Sequence, residues 1–250
     1  MSPASSHMNL CIDIGNTRAK IAVFQDGKII YYEERKNLGV RALGKILREF
    51  PIEASIISST RHQDEKVCAW LEERTEFEWL DHQTPVPIVN LYQTPKTLGK
   101  DRLAGVVGVQ AEFPDKNCLL IDAGTCITVD FLDESGNYHG GSISPGLHLR
   151  SRALHNFTKK LPLIQPEAGT PVEGKTTREA ILSGIMHGTT LELEGFIRHY
   201  KKQFGSLKVI VTGGDTTFFE KHIKTAIFAR PKIVLFGLNQ ILDFKSLSTR

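Results

Sequence analysis

CIDIGNTRAKIAVFQDGKII, residues 11–30, decides the fold, because LIDAGTCITVDFLDESGNY, residues 120–138, builds the same object again. In each, an apolar strand runs into Asp-x-Gly and a hydroxyl or amide residue, then a second alternating strand, then an Asp-Gly or Ser-Gly turn. The first copy carries Asp13, Gly15, Asn16 and Thr17; the second carries Asp122, Gly124 and Thr125. A carboxylate at a strand end, followed by a glycine that lets the backbone turn closely, leaves N–H groups and a hydroxyl to meet phosphate oxygens. The carboxylate can hold a cation or its water and so offset phosphate charge. One such turn alone reads first as an ordinary tight hairpin. Two in matched contexts suit a nucleotide whose triphosphate is gripped at both ends.

TGGD at 212–215 is a third piece. Two successive glycines after an apolar strand allow close approach of a flat ligand, for which a base and ribose are the natural candidates; a plain glycine loop is the other reading.

The frame around these motifs is ordinary. A chain of 250 residues has room for one large or two medium domains. It is 40% hydrophobic and 24% charged, with a formal net charge of +3, which gives no electrostatic case for nucleic acid or a membrane surface as a partner. Cys11, Cys68, Cys118 and Cys126 lack C-x-x-C spacing, so a reduced, cytoplasmic setting is expected. Residues 1–7, MSPASSH, read as an expression-tag remnant before Met8. No apolar run approaches the ~20 residues of a membrane-spanning helix.

Periodicity divides the remainder into two similar halves, 8–116 and 117–250. In the first, Ile12, Ile14, Ile21 and Val23 alternate across a hairpin closed by Asp26-Gly27, and helices are expected at 40–50, 64–74 and 101–113, with a strand at 54–57. Proline-rich QTPVPIVN and YQTPKTLG form an extended connection. In the second half, strands are expected at 119–121, 127–131, 138–144, 209–211 and 233–236. Helices are expected at 147–158, at 178–204 with an interruption near Gly188, and at 239–244. Cys126 is read as a small buried residue, and the histidines lack metal-ligand spacing.

DIGNT, GKDR, DAGT, GGSISPGLHLRSRALHNFTKKLP, GKTT and TGGD, in that order, closely resemble the type III pantothenate kinases, and the resemblance runs from Met8 through essentially the whole chain. It implies an α/β fold of two ribonuclease H-like domains, of the acetate and sugar kinase, heat-shock chaperone and actin superfamily, with a nucleotide cleft between them. It also implies ATP-dependent phosphorylation of pantothenate to 4′-phosphopantothenate, the first step towards coenzyme A.

By the same resemblance, Asp13, Ile14, Gly15, Asn16, Thr17, Arg18, Ala19 and Lys20 would line the ATP phosphates, and Thr125 would contact ATP. Asp122 would bind a monovalent cation, potassium or ammonium, and magnesium would accompany ATP. Gly99, Lys100, Asp101 and Arg102 would hold pantothenate, with Asp101 as general base, and Tyr92 and Thr177 would contact it in a homodimer whose substrate sites lie at the interface. On the residues alone, Asp101 reads first as a helix cap with Arg102 in water, Tyr92 as a half-buried aromatic, and Thr177 as a helix N-cap; only the resemblance turns these readings to the substrate. Ala123, Cys126 and Ile127 stand where the family often has an aromatic, a small and a hydroxyl residue, so the cation pocket is expected to be lined differently. Two other readings are a sugar or acetate kinase of the same superfamily and a non-enzymatic regulatory member.

Overall fold

The computed structural model describes residues 7–60 and 64–248. Of the expected tag remnant, residues 1–6 lie outside the described residues, while the His7 ring nitrogen sits 2.6 Å from a Glu53 carboxylate oxygen.

Chain contacts define two compact units. The first comprises Met1–Pro114, Gly136–Tyr138 and Lys232–Arg250; the second comprises Asp115–Ser135 and His139–Pro231. This grouping does not follow the sequence division at 116/117, because the last segment clusters with the first unit.

In the first unit, β1 (Met8–Ile14), β2 (Ala19–Gln25) and β3 (Lys28–Arg35) form an antiparallel meander, followed by α1 (Val40–Glu49), β4 (Ala54–Ser59), α2 (Glu65–Glu72) and β5 (Glu76–Trp79). The sheet order is β3-β2-β1-β4-β5, with β4 and β5 parallel to β1. Asp26 and Gly27 both take positive φ, 50° and 73°, as a two-residue hairpin following the right-handed strand twist requires. They join β2 to β3. The hairpin between β1 and β2 is closed by residues 15–18. One face of this sheet buries Leu10, Ile12, Ile21, Val23 and Ile57 against Leu43 and Ile46 of α1 and Val67 and Leu71 of α2.

After the short strand β6 (Val89–Asn90) comes α3 (Lys100–Glu112), then β7 (Cys118–Ala123), β8 (Cys126–Leu132), β9 (Asn137–Pro145), α4 (Leu147–Asn156), α5 (Thr177–Phe204), β10 (Lys208–Thr212), α6 (Thr216–His222), β11 (Phe228–Ala229) and α7 (Ile233–Ser248). The second sheet runs β11-β10-β7-β8-β9, the order of the first sheet repeated, and β6 adds to the first two residues of β9. The repeat announced by the paired turns, and the duplicated ribonuclease H-like plan that the family resemblance implies, are therefore present. The core of the second unit packs Leu119, Ile121, Val129, Val209 and Val211 against Ile181, Ile185, Leu193 and Ile197 of α5.

Asp26-Gly27 therefore does not close the hairpin of Ile12 and Ile14 with Ile21 and Val23, as expected, and two further expectations fail. Residues 233–236 open α7 and are not a strand. The run Ile-Val-Leu-Phe suits either state by periodicity, and it continues into buried Leu238, Ile241 and Leu242 at helical spacing. Gly188 does not interrupt α5, which is continuous over 28 residues. A helical glycine costs about 1 kcal/mol against alanine, too little to break a helix whose Ile185, Met186, Thr189 and Leu193 are buried around it.

The seating of α7 on α3 explains why the C-terminus joins the first unit. A Cβ on Gly108 would stand 2.4 Å from the Ile233 carbonyl oxygen, and one on Gly237 would stand 1.7 Å from that of Ala104. Only glycine lets the two backbones touch here, and the contact fixes the helix whose first turn is Lys100-Asp101-Arg102.

Candidate active site

Asp13 occupies the penultimate position of β1, is 7% exposed, and pairs in register with Lys20 on β2 and Ser58 on β4. The Gly15 N–H donates to the Arg18 carbonyl at 3.0 Å, which closes the turn. Asn16, Thr17 and Arg18 are exposed on it, Ile14 and Lys20 are half-buried, and Ala19 is buried. Arg18 reaches Glu34 at 3.1 Å. The Glu34 carboxyl is held below its ordinary range, first by the Tyr32 hydroxyl and then by Arg18.

The second unit repeats the geometry. Asp122 is penultimate in β7 and pairs with Thr128 on β8 and Thr212 on β10. The Gly124 N–H donates to the Cys126 carbonyl at 2.9 Å. A carboxylate at a strand end with a hydroxyl residue on the parallel neighbour thus occurs in both units, as Asp13 with Ser58 and as Asp122 with Thr212.

Two further segments close on this second turn. The Gly146 N–H donates to the Thr125 carbonyl at 3.0 Å, and a Cβ there would stand 2.0 Å from the Gly124 carbonyl oxygen. The Asp215 N–H donates to the Ala123 carbonyl at 3.0 Å. A Cβ on Gly213 would lie 2.3 Å from that same carbonyl oxygen. DAGT, SPG and TGGD therefore form one backbone cluster. Sequence reasoning assigned Gly146 no role, although Pro145-Gly146 ahead of a helix was the available signal. The Asp215 carboxyl is pushed up by burial and partly drawn back by His148.

Thr125 and Cys126 are both exposed at the tip. The expectation of a buried Cys126 is corrected: the β7–β8 turn projects residues 125 and 126 outward, and the apolar interior is filled by Ala123 and Ile127.

GKDR forms the start of α3. Gly99 holds the N-cap position with no side-chain cap. Asp101 Oδ1 accepts from the Arg102 N–H at 2.8 Å. Arg102 is only 6% exposed, with its guanidinium carbon 5.5 Å from the centroid of the half-buried Tyr92 ring. The alternative of a capped terminus with Arg102 in water is thereby excluded. Lys100 is half-buried, and burial pulls its ammonium below the ordinary lysine value while Asp81 partly restores it.

Thr177 is the first residue of α5 and is exposed. The N-cap is Thr176, whose Oγ1 accepts from the Glu179 N–H at 3.2 Å while Glu179 Oε2 accepts from the Thr176 N–H at 3.1 Å. The reading of Thr177 as the cap is corrected accordingly. The capping box of Thr176 and Glu179 leaves the Thr177 side chain outside the cap.

A family model described as type III pantothenate kinase matches residues 9–199. The chain belongs to the type III pantothenate kinase family. That family phosphorylates pantothenate in coenzyme A biosynthesis. The type III pantothenate kinase of Bacteroides fragilis is 43% identical over 96% of this chain and 99% of its own length. That of Phocaeicola vulgatus is 42% identical over 95% of this chain and 98% of its own.

Among solved structures, a Campylobacter jejuni protein described as a Baf family transcriptional activator aligns with a TM-score of 0.63 at 20% identity, covering 95% of this chain and 99% of that one. The ROK hexokinase of Thermus thermophilus aligns at 0.52 and 14% identity, with 95% and 99% coverage. At these identities the structures bear on fold, and they agree with two actin-like domains.

Proposed function

We propose that this chain transfers the γ-phosphoryl group of ATP to the primary hydroxyl of pantothenate, with Asp101 as general base. The observation that carries the site assignment is the first turn of α3. There an aspartate precedes a buried arginine set against an aromatic ring, a combination that a plain helix cap does not need. Phosphoryl transfer depends on positioning and charge neutralisation, plus a group to receive the hydroxyl proton. As the new P–O bond forms and the β,γ-bridging bond breaks, the proton passes to the Asp101 carboxylate and ADP leaves. Lys100 and Arg102 hold the pantothenate carboxylate, and Gly99 leaves room for Asp101.

Asp13 to Lys20 and Thr125 grip the ATP phosphates, and Gly213 and Gly214 admit the nucleoside. The Asp122 carboxylate at the end of β7 supplies hard oxygen donors, the kind that fits potassium or ammonium. Near Asp13, the buried Ser58 Oγ has no hydrogen-bond partner among the described residues, which suits a site completed by water around the magnesium that accompanies ATP. These ions would supply neutralisation of phosphate charge. Tyr92 and Thr177 complete pantothenate sites at the interface of a homodimer. No helix among the described residues is long and apolar enough to cross a membrane, and a cytoplasmic setting is part of the proposal.

The test is ATP turnover against pantothenate, simple sugars and acetate, with the product identified by mass. Phosphorylation of pantothenate alone is expected. Turnover of a sugar instead, or of nothing, would reject the assignment.

A further inference from the structure

We propose that Tyr138 is a positioning residue for pantothenate that acts through Tyr92. The inference rests on the reading of Tyr92 and Arg102 as substrate residues.

Residues 136–138 lie far from GKDR in sequence, yet they belong to the first unit. The Val89 N–H donates to the Gly136 carbonyl and the Leu91 N–H to the Tyr138 carbonyl, each at 3.0 Å. Tyr92 thus leaves a proline-rich connection whose backbone is tied down at Tyr138. Its own N–H is held by Asn90 Oδ1 at 3.0 Å.

The side chains repeat the tie. The Tyr138 ring lies nearly parallel to that of Tyr92, with an interplanar angle of 7° and centroids 6.2 Å apart, the offset stacking aromatic pairs prefer. Tyr138 is fully buried at 0% exposure, whereas Tyr92 is half-buried. A fixed ring therefore supports a more accessible one, and the accessible one also meets the Arg102 guanidinium. Gly136, with φ of 78°, brings the peg against α3, where a Cβ would stand 3.4 Å from Gln110 Nε2. The support for Tyr92 rests on the same helix that carries Asp101 and Arg102.

A half-buried tyrosine on an extended connection would otherwise divide its time among rotamers. A stacked aromatic partner shifts such a population by roughly two- to tenfold, which sets the size of the expected effect. Tyr138 touches no reacting atom in this account. It sets the pose of a ring that does touch substrate.

The experiment measures steady-state kinetics for Tyr138→Leu, Tyr138→Phe, Tyr92→Leu and the Tyr92→Leu/Tyr138→Leu pair, with thermal melts alongside. Tyr138→Leu is expected to raise the KM for pantothenate about three- to tenfold while the KM for ATP stays within about twofold, and Tyr138→Phe, which keeps the ring, is expected to restore the wild-type KM. In the double variant, Tyr138→Leu is expected to add nothing to Tyr92→Leu. An unchanged pantothenate KM in Tyr138→Leu, a phenylalanine variant as impaired as the leucine one, or independent multiplication of the two effects would overturn the inference while the site assignment stands. An unchanged pantothenate KM in Tyr92→Leu would overturn both. Should Tyr138→Leu not fold, Tyr138→Met carries the same prediction, because it fills space without a ring face.

Discussion

A Cβ on Gly213 would lie 2.5 Å from Oδ1 of Asp122. The first glycine of TGGD is thus fitted against the carboxylate at the end of β7, and it also holds a φ of 93°. Gly213→Ala therefore meets a backbone clash and a conformation that side chains rarely adopt, and a loss of more than about 1 kcal/mol of stability is expected. Urea melts read that loss. Gly214→Ala is the control, since nothing lies within 4 Å of its Cβ position; equal behaviour of the two variants would remove Gly213 from the cluster.

At the other motif, Asp101→Asn is expected to lower turnover by about 100- to 10,000-fold, the usual contribution of a positioned general base, with ATP affinity largely kept. The structure adds a subtler variant. A Cβ on Gly99 would stand 2.7 Å from Asp101 Oδ1. Gly99→Ala should displace the carboxylate at little cost in stability, because a side-chain end can shift where a backbone cannot. Reduced kcat with unchanged ATP affinity is the expected result; near wild-type turnover in both variants would reject Asp101 as the base.

The cation prediction concerns Asp122. Activity is expected to rise with potassium or ammonium and to stay low in sodium, because site size and ligand number select the ion. Asp122→Asn should abolish the difference. Equal rates of the wild-type protein in sodium and potassium would remove this role.

How far these features were legible in the sequence depended on what carried them. Paired Asp-x-Gly hairpins announced two equivalent sheets because strand alternation and turn chemistry are local. The state of residues 233–236 was not legible, since a short apolar run satisfies helix and strand alike, and its helical continuation packs on α3, distant in sequence, with Gly108 and Gly237 at the contact. Thr177 was assigned to a cap one residue late, within the ordinary uncertainty of helix ends. Tyr138 and Gly146 act by contacts between segments distant in sequence, which periodicity cannot reveal. Arg102 is the clearest case: it is 6% exposed with its guanidinium over the ring of Tyr92, ten residues earlier in the connection after β6, a contact that spacing along α3 does not reveal.

Assembly gives a fourth prediction. With pantothenate sites completed across a two-fold interface, sedimentation should find a dimer at assay concentration. Inactive Asp101→Asn, mixed with a variant inactivated at Thr177, should recover up to about a quarter of wild-type activity, because about half the random pairs carry one intact site of two. A fully active monomer would end the idea.

The final prediction is the alkaline limb of pantothenate binding. Burial lowers the Lys100 ammonium below its ordinary 10.5, against a partial restoring pull from Asp81. As pH rises through that lowered value, Lys100 loses its charge sooner than an exposed lysine would, and the KM for pantothenate should climb while the KM for ATP stays level. Unfolding cannot produce this limb through Lys100. Between the lowered value and 10.5 the folded chain binds fewer protons at this group than the unfolded chain, so its contribution to stability increases with pH across that window. Lys100→Arg keeps a cation throughout, because guanidinium stays protonated to above about pH 12, and should flatten the limb. Lys100→Met should show a raised pantothenate KM at every pH. If the arginine variant retained the wild-type limb, the titrating group would lie elsewhere, and Lys100 would be a half-buried first-turn residue of α3 with no hold on the substrate carboxylate.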